Sequence, residues 1–271
     1  MPSIEASDAK SWLCRRMASA LLLGLWFLGS VDARSQQPPV PTPPVAPGKP
    51  DLPPLPAPPA NHLTVQPSFS VVIDAAHGGA NTGARIASNI EEKNITLTLS
   101  SRLRTALAAQ GITVAMTRES DTDPPARQRA GIANHALASA CLILHATATG
   151  SGVHLFTSSL PPAVSVPVSP ATSSLVPWQT AQAAWITRSL RLSSEINSAL
   201  GQAGIPATLG IASVAPLDNL ACPAVAIEIA PLANSAANQA LSVSDSKYQQ
   251  RVIDALASAI VVWRTDWKQQ P

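Results

Sequence analysis

The sequence predicts an α/β fold, a single layered domain with a mostly parallel twisted sheet flanked by helices, preceded by a signal peptide and a Pro-rich linker. Three observations predict it. Short β-branched runs such as Ser70-Val71-Val72-Ile73-Asp74 alternate with amphipathic helical stretches, the pattern of βαβ units. Residues 38–60 hold 12 of the 26 prolines, so they cannot build a core. The roughly 210 residues that follow suffice for one domain with a substantial buried interior. Finally, an uncharged run from Met17 to Val31 follows Lys10, Arg15 and Arg16.

That last pattern fits a positive n-region and an h-region of about 15 residues, shorter than the ~20 a spanning helix prefers. Val31-Asp32-Ala33 resembles a small-residue cleavage site and puts the new N-terminus near Arg34, so residues 1–33 are expected to be a signal peptide. An uncleaved N-terminal anchor is the alternative. Cys14 precedes the apolar run, the wrong place for a lipoprotein anchor. Residues 34–68 then form a linker whose proline content favours extended polyproline II and a semi-rigid spacer. The mature part carries no stable membrane span in this reading, and the protein is expected in the periplasm or cell envelope.

Within residues 69–271 the elements follow in order. Ser70–Asp74 is a strand buried on both faces. Ala75-Ala76-His77-Gly78-Gly79 opens a polar, glycine-containing loop to about Asn89. Ile95, Leu99, Leu103 and Leu107 form one apolar stripe on a helix, with Gly111 as its stop signal. Ile112–Met116 reads as a strand, Ala126–Ser139 as a helix, and Cys141–Leu144 as a strand ending at His145. Val153–Phe156 is a fourth strand, and residues 158–177, rich in Ser, Pro and Val, a surface insertion. Trp178–Ala203 carries a long helical pattern, in which Trp178 and Trp185 are expected in the core or an interface. Ala224–Ile227 is a buried strand ending at Glu228, and Tyr248–Trp263 a closing helix.

Charge and cysteine content narrow the function classes. A formal net charge of +2 excludes an electrostatic nucleic-acid binder, which needs a concentrated basic face. Three cysteines are too few for a disulfide-stapled scaffold. Export would permit Cys141 and Cys222 to pair, yet sequence does not place them in bonding range, and two buried free thiols are the expectation.

The polar residues carry the chemical information. Sites in such sheets form beyond the carboxyl ends of the strands. Three strands end on chemistry: at His77, at His145 and at Glu228. Glu91 and Glu92 begin the helix after the first strand, where the helix dipole favours carboxylates in any case. Two histidines and one carboxylate with an open fourth position make a catalytic zinc set, and a separate carboxylate can act on the metal's water. The separations, 15 residues from His77 to Glu92, 53 to His145 and 83 to Glu228, form no compact motif, so strand-end placement is the main argument.

Val72-Ile73-Asp74-Ala75-Ala76-His77-Gly78-Gly79 with Gly83-Ala84 resembles the opening of the zinc-dependent N-acetylmuramoyl-L-alanine amidases of type 3. Glu92-Lys93-Asn94 is similar to that family's Glu-Lys-Asp/Asn element. Gly111–Val114 with Thr117-Arg118 and Asp121, Arg129 with Ala133-Asn134, Ile143-Leu144-His145-Ala146, and Pro223–Glu228 with Asn234 match further pieces in order. The resemblance runs from about Val71 to Ile260. It implies His77, Glu92 and His145 as ligands to Zn2+, Glu92 over Glu91 because it directly precedes Lys93, and Glu228 as the catalytic carboxylate. The implied activity is cleavage of the amide joining N-acetylmuramic acid to L-alanine of the peptide stem, with peptidoglycan and a protein activator as the partner classes.

The sequence departs from the pattern around the site. Ala76 replaces a usual Gly, Asn81 a common Asp, Leu144 an Ile, and Thr147 an Asn, while Ile229-Ala230 stands where Gly-Phe normally follows. Two other readings stay open: an inactive amidase-like peptidoglycan-binding or regulatory protein, and a zinc peptidase cutting within the stem. Among the remaining polar residues, His62 and His135 read as solvated, Asp74 as a structural carboxylate, and Arg118, Arg127 and Arg129 as bracing or surface groups. His154, in a strand after the site, reads as a minor candidate for substrate contact.

Overall fold

The computed structural model describes residues 68–163, 178–233 and 240–267. The expected signal peptide, nearly all of the linker, residues 164–177 of the insertion and Asn234 lie outside the described residues. Every described residue belongs to the unit Leu63–Pro271.

The strands are β1 (Ser70–Ala75), β2 (Arg85–Ala87), β3 (Ile90–Glu91), β4 (Thr113–Met116), β5 (Ala140–Ala146), β6 (Val153–Ser158), β7 (Ala207–Ala212) and β8 (Ala224–Ile229). The helices are α1 (Glu92–Ala109), α2 (Ala126–His135), α3 (Ile186–Gln202) and α4 (Ser246–Trp267). Six strands form one sheet in the order β4-β1-β5-β8-β6-β7. All neighbours pair in parallel except β6 with β8. β2 and β3 form a separate antiparallel ribbon.

Alternation along the strands divides the interior in two. One sheet face presents Val71, Ile73, Leu142, Leu144, Val225, Ile227 and Leu155 to α1, α3 and α4, where the apolar stripe Ile95, Leu99, Leu103 and Leu107 is buried. The other face presents Val72, Cys141, Ile143, Ala224 and Ala226, covered by Ala130 and Ala133 of α2 and by Leu217 and Leu220. This second layer mixes small side chains with Ile143, Leu217 and Leu220. The central strands are buried on both faces, as continuous apolar runs require.

Four expectations need correction. Cys141 and Cys222 form a disulfide, with Cα atoms 6.2 Å apart, because Cys222 lies two residues before Ala224, the start of β8, and Cys141 pairs with Ala224 in register. The Trp178–Ala203 pattern is broken: Thr180 leaves helical geometry within a short 3-10 stretch at Trp178–Ala184, and the α-helix starts at Ile186. Trp178 is exposed and so lies outside the core, while Trp185 is half-buried beneath the Arg188 guanidinium, 5.6 Å from its ring centre. The helix from Ala126 stops at His135 rather than Ser139, where Leu137 takes φ 46. Two elements carried no strong signal, the β2–β3 ribbon and the edge strand β7, whose Leu209 and Ile211 are exposed around Gly210.

Candidate metal centre

The loop after β1 sets the first histidine. His77 adopts φ 61, an uncommon left-handed conformation for a residue with a side chain. Its neighbours hold it there. Gly78 and Asn81 exchange backbone hydrogen bonds of 2.8 and 2.9 Å. The Arg129 guanidinium donates to the His77 carbonyl at 2.9 Å. Lys93 donates to the Gly79 carbonyl and pairs with Asp121, whose other oxygen accepts from the Gly79 amide. The tight turn brings Asn81 Oδ1 within 2.9 Å of His77 Nδ1, so with Nδ1 protonated Nε2 is left as the acceptor nitrogen.

Glu92 enters from the first turn of α1. The ribbon delivers an extended Glu91 at the helix N-cap, whose side chain makes no cap hydrogen bond. Glu91 instead lies 3.7 Å from Lys93 Nζ at the surface, while Glu92 is only 5% exposed and turns inward. The backbone must pass very close: a Cβ on Gly83, at φ +66, would stand 2.6 Å from Glu92 Oε2 and 2.7 Å from His77 Cδ2. Only glycine fits there.

His145 follows from the end of β5. Its Nδ1 lies 2.9 Å from Glu92 Oε1, and His77 Nε2 lies 3.1 Å from Oε2, so one carboxylate faces both imidazoles. The Ala84 and Ala146 amides also donate to Glu92. Burial pushes the Glu92 carboxyl up, but the hydrogen bonds from His145 and His77 and the Ala84 amide outweigh it and hold the group well below the usual carboxylate range. His77 is shifted upward, chiefly by its hydrogen bond to Glu92, against the opposing effect of burial. The ligand atoms of His77, Glu92 and His145 all lie within 4.8 Å of one another. Two imidazoles and one carboxylate, with an outer partner orienting His77, are a donor set that suits a divalent transition metal such as zinc. The residues fit such an ion chemically, and His145 Nε2 is buried without a hydrogen-bond partner among the described residues.

Glu228 stands beside this trio rather than within it. It pairs with His145 in register on β8, and with His154 on β6, so the three side chains share one row on one sheet face. A cleft of about 260 Å³ adjoins the trio, with His77, His145, Asn81, Asp123 and Arg129 among its walls. Asp74 sits beneath it, bonded to Thr117 and paired with Arg129 at 2.9 Å, while Arg118 donates to the Ala75, Ala76 and Lys93 carbonyls. These groups brace the loops, as expected for Asp74, Arg118 and Arg129.

Sequence reasoning undervalued two residues. Asn81 registered only as a departure from Asp, although a side-chain oxygen four residues after a loop histidine is a signal for an outer partner. His154 lies near the start of its strand, and the rule of carboxyl strand ends passes over it. Because β6 runs antiparallel to β8, its beginning meets the other strands' ends, and His154 Nδ1 comes within 3.2 Å of Glu228 Oε2.

A family profile for N-acetylmuramoyl-L-alanine amidase matches residues 71–262, which is most of the chain. The chain belongs to the type 3 amidase family. The germination-specific N-acetylmuramoyl-L-alanine amidase of Bacillus subtilis (strain 168) is 35% identical over 95 residues, covering 30% of this chain and 40% of that protein. Two solved amidases share the fold. Ami1 of Mycobacterium smegmatis aligns with a TM-score of 0.56 at 20% identity, over 74% of this chain and 98% of its own. The CwlD amidase of Clostridioides difficile, solved with the GerS lipoprotein, aligns at 0.52 and 17%, over 73% and 99%. The match therefore spans nearly the full length of these solved chains but less than half of the Bacillus protein.

Proposed function

We propose that this chain is an exported, zinc-dependent peptidoglycan hydrolase of cell-wall remodelling that cleaves the amide between N-acetylmuramic acid and L-alanine of the stem peptide. The observation that carries it is the convergence of two imidazoles and one carboxylate at the strand ends, with Glu228 on the same sheet face beside His145. In this reading residues 1–33 are the signal peptide, 34–68 the linker and 69–271 the catalytic domain. His77, Glu92 and His145 would hold Zn2+. Bound zinc supplies Lewis-acid polarisation of the amide carbonyl and a more acidic water.

The chain's own residues do the rest. Asn81 holds the His77 ring through Nδ1, which leaves Nε2 as the nitrogen that would bind the ion. Glu228 accepts the proton of the attacking water and returns it to the departing L-alanine amine. The cleft walls exclude bulk water on one side and seat the substrate. Peptidoglycan is the substrate, and the lipoprotein bound to the CwlD amidase supports a protein activator as a second partner class.

Incubating purified protein with sacculi and weighing the products tests this. Free stems beginning at L-alanine, with intact muramic acid left on the glycan, are expected. New amines within the stem would mean a peptidase, and no release with zinc bound and activator extracts added would mean a binding module. N-terminal sequencing of exported protein should begin near Arg34, and retention of Met1 would mean an anchor.

A further inference from the structure

We propose that His154 is the positioning residue of Glu228, a role that rests on Glu228 being the proton acceptor. The two face each other across the sheet's only antiparallel pairing among the described residues, directly opposite in register, with Nδ1 3.2 Å from Oε2. The Glu228 side chain is 38% exposed, so without a partner its carboxylate would sample several rotamers. Among the described residues His154 supplies its polar side-chain contact, on Oε2, which leaves Oε1 free to take a proton.

The imidazole is itself held. Gly150, at φ +85, lies so close that a Cβ there would stand 3.3 Å from His154 Cε1. The Phe156 ring meets the imidazole edge-on at 6.5 Å. A ring flanked by the Gly150 backbone and the Phe156 ring, and donating from Nδ1, orients a carboxylate as a triad's third member orients its base. A cross-strand ion pair at this position would also add a few tenths of a kcal/mol to the sheet, so the test must separate orientation from stability.

The test compares wild type with His154→Leu, which removes the donor, and His154→Asn, whose amide replaces it at a similar reach. With zinc-loaded full-length protein on sacculi, His154→Leu should lower kcat roughly 10–100-fold, no more than loss of the general base itself costs. KM and bound zinc should stay unchanged. His154→Asn should recover most of kcat. Added to Glu228→Gln, His154→Leu should cost nothing further, because the two act as a unit. Independently of turnover, ring 15N shifts of His154 should report a protonated Nδ1 that is lost in Glu228→Ala. Wild-type kcat in His154→Leu, equal impairment in both His154 variants, or ring shifts indifferent to Glu228→Ala would overturn the proposal and leave the amidase reading standing. A wild type that releases nothing from sacculi would sink that reading, and this role with it.

Discussion

Glu92 holds the site together at the scale of single residues. Its two oxygens face two imidazoles, and its charged form is kept by them and by two backbone amides. Each of the three side chains is thus set by the others as well as by its own strand or helix. His77→Ala or His145→Ala removes one of three protein donors and should cost most of the bound zinc while the fold survives. Metal content measured after gel filtration checks this, and full occupancy in both variants would reassign the ligands. His77 and His145 could be picked from the sequence because each directly follows a buried apolar run, which places it at a strand end. Glu92 could not be separated from Glu91 on chemistry alone, since either suits a helix N-terminus. The distinction came from the family resemblance, and in the structure it follows from the ribbon that turns Glu92 inward. His154 needed strand direction, which no local pattern encodes.

At the scale of elements, α4 anchors the sheet through two fully buried aromatic residues, Tyr248 and Trp263. The Tyr248 hydroxyl donates to the Ala230 carbonyl at 2.9 Å, just beyond the end of β8. Burial pushes the Tyr248 phenol from 10.0 up to about 12. A raised folded-state value means that the neutral form is the one the fold favours. Its stabilisation is therefore complete below pH 10 and lost as pH rises from 10 through 12, by roughly 2–3 kcal/mol. Denaturant unfolding across that range should show the slope in wild type and lose it in Tyr248→Phe. An unchanged slope in the variant would assign it to other groups. The strands and helices around this anchor were readable because burial on both faces or on one stripe leaves a clear period. β7 was not, because an edge strand with exposed Leu209 and Ile211 and a central Gly210 buries no face fully.

For the whole molecule, the Cys141–Cys222 disulfide closes a separation of 81 residues across the neighbouring strands β5 and β8. Loop closure of that order stabilises by about 2–4 kcal/mol. Cys141→Ala with Cys222→Ala should lower the unfolding free energy by that amount, and reductant should destabilise wild type but not the variant. Equal stabilities would mean that the bond contributes nothing. Sequence could not reveal the pairing, since only the register of β5 on β8 brings the two sulfurs together. An oxidised bond suits an exported protein. The central claim, that this fold turns over peptidoglycan with Glu228 as its base, meets its most direct test in one comparison: wild type and Glu228→Gln, each zinc-loaded, on the same sacculi. Equal zinc and a fall in turnover of at least ~100-fold are predicted. Digestion by Glu228→Gln at the wild-type rate would contradict the account.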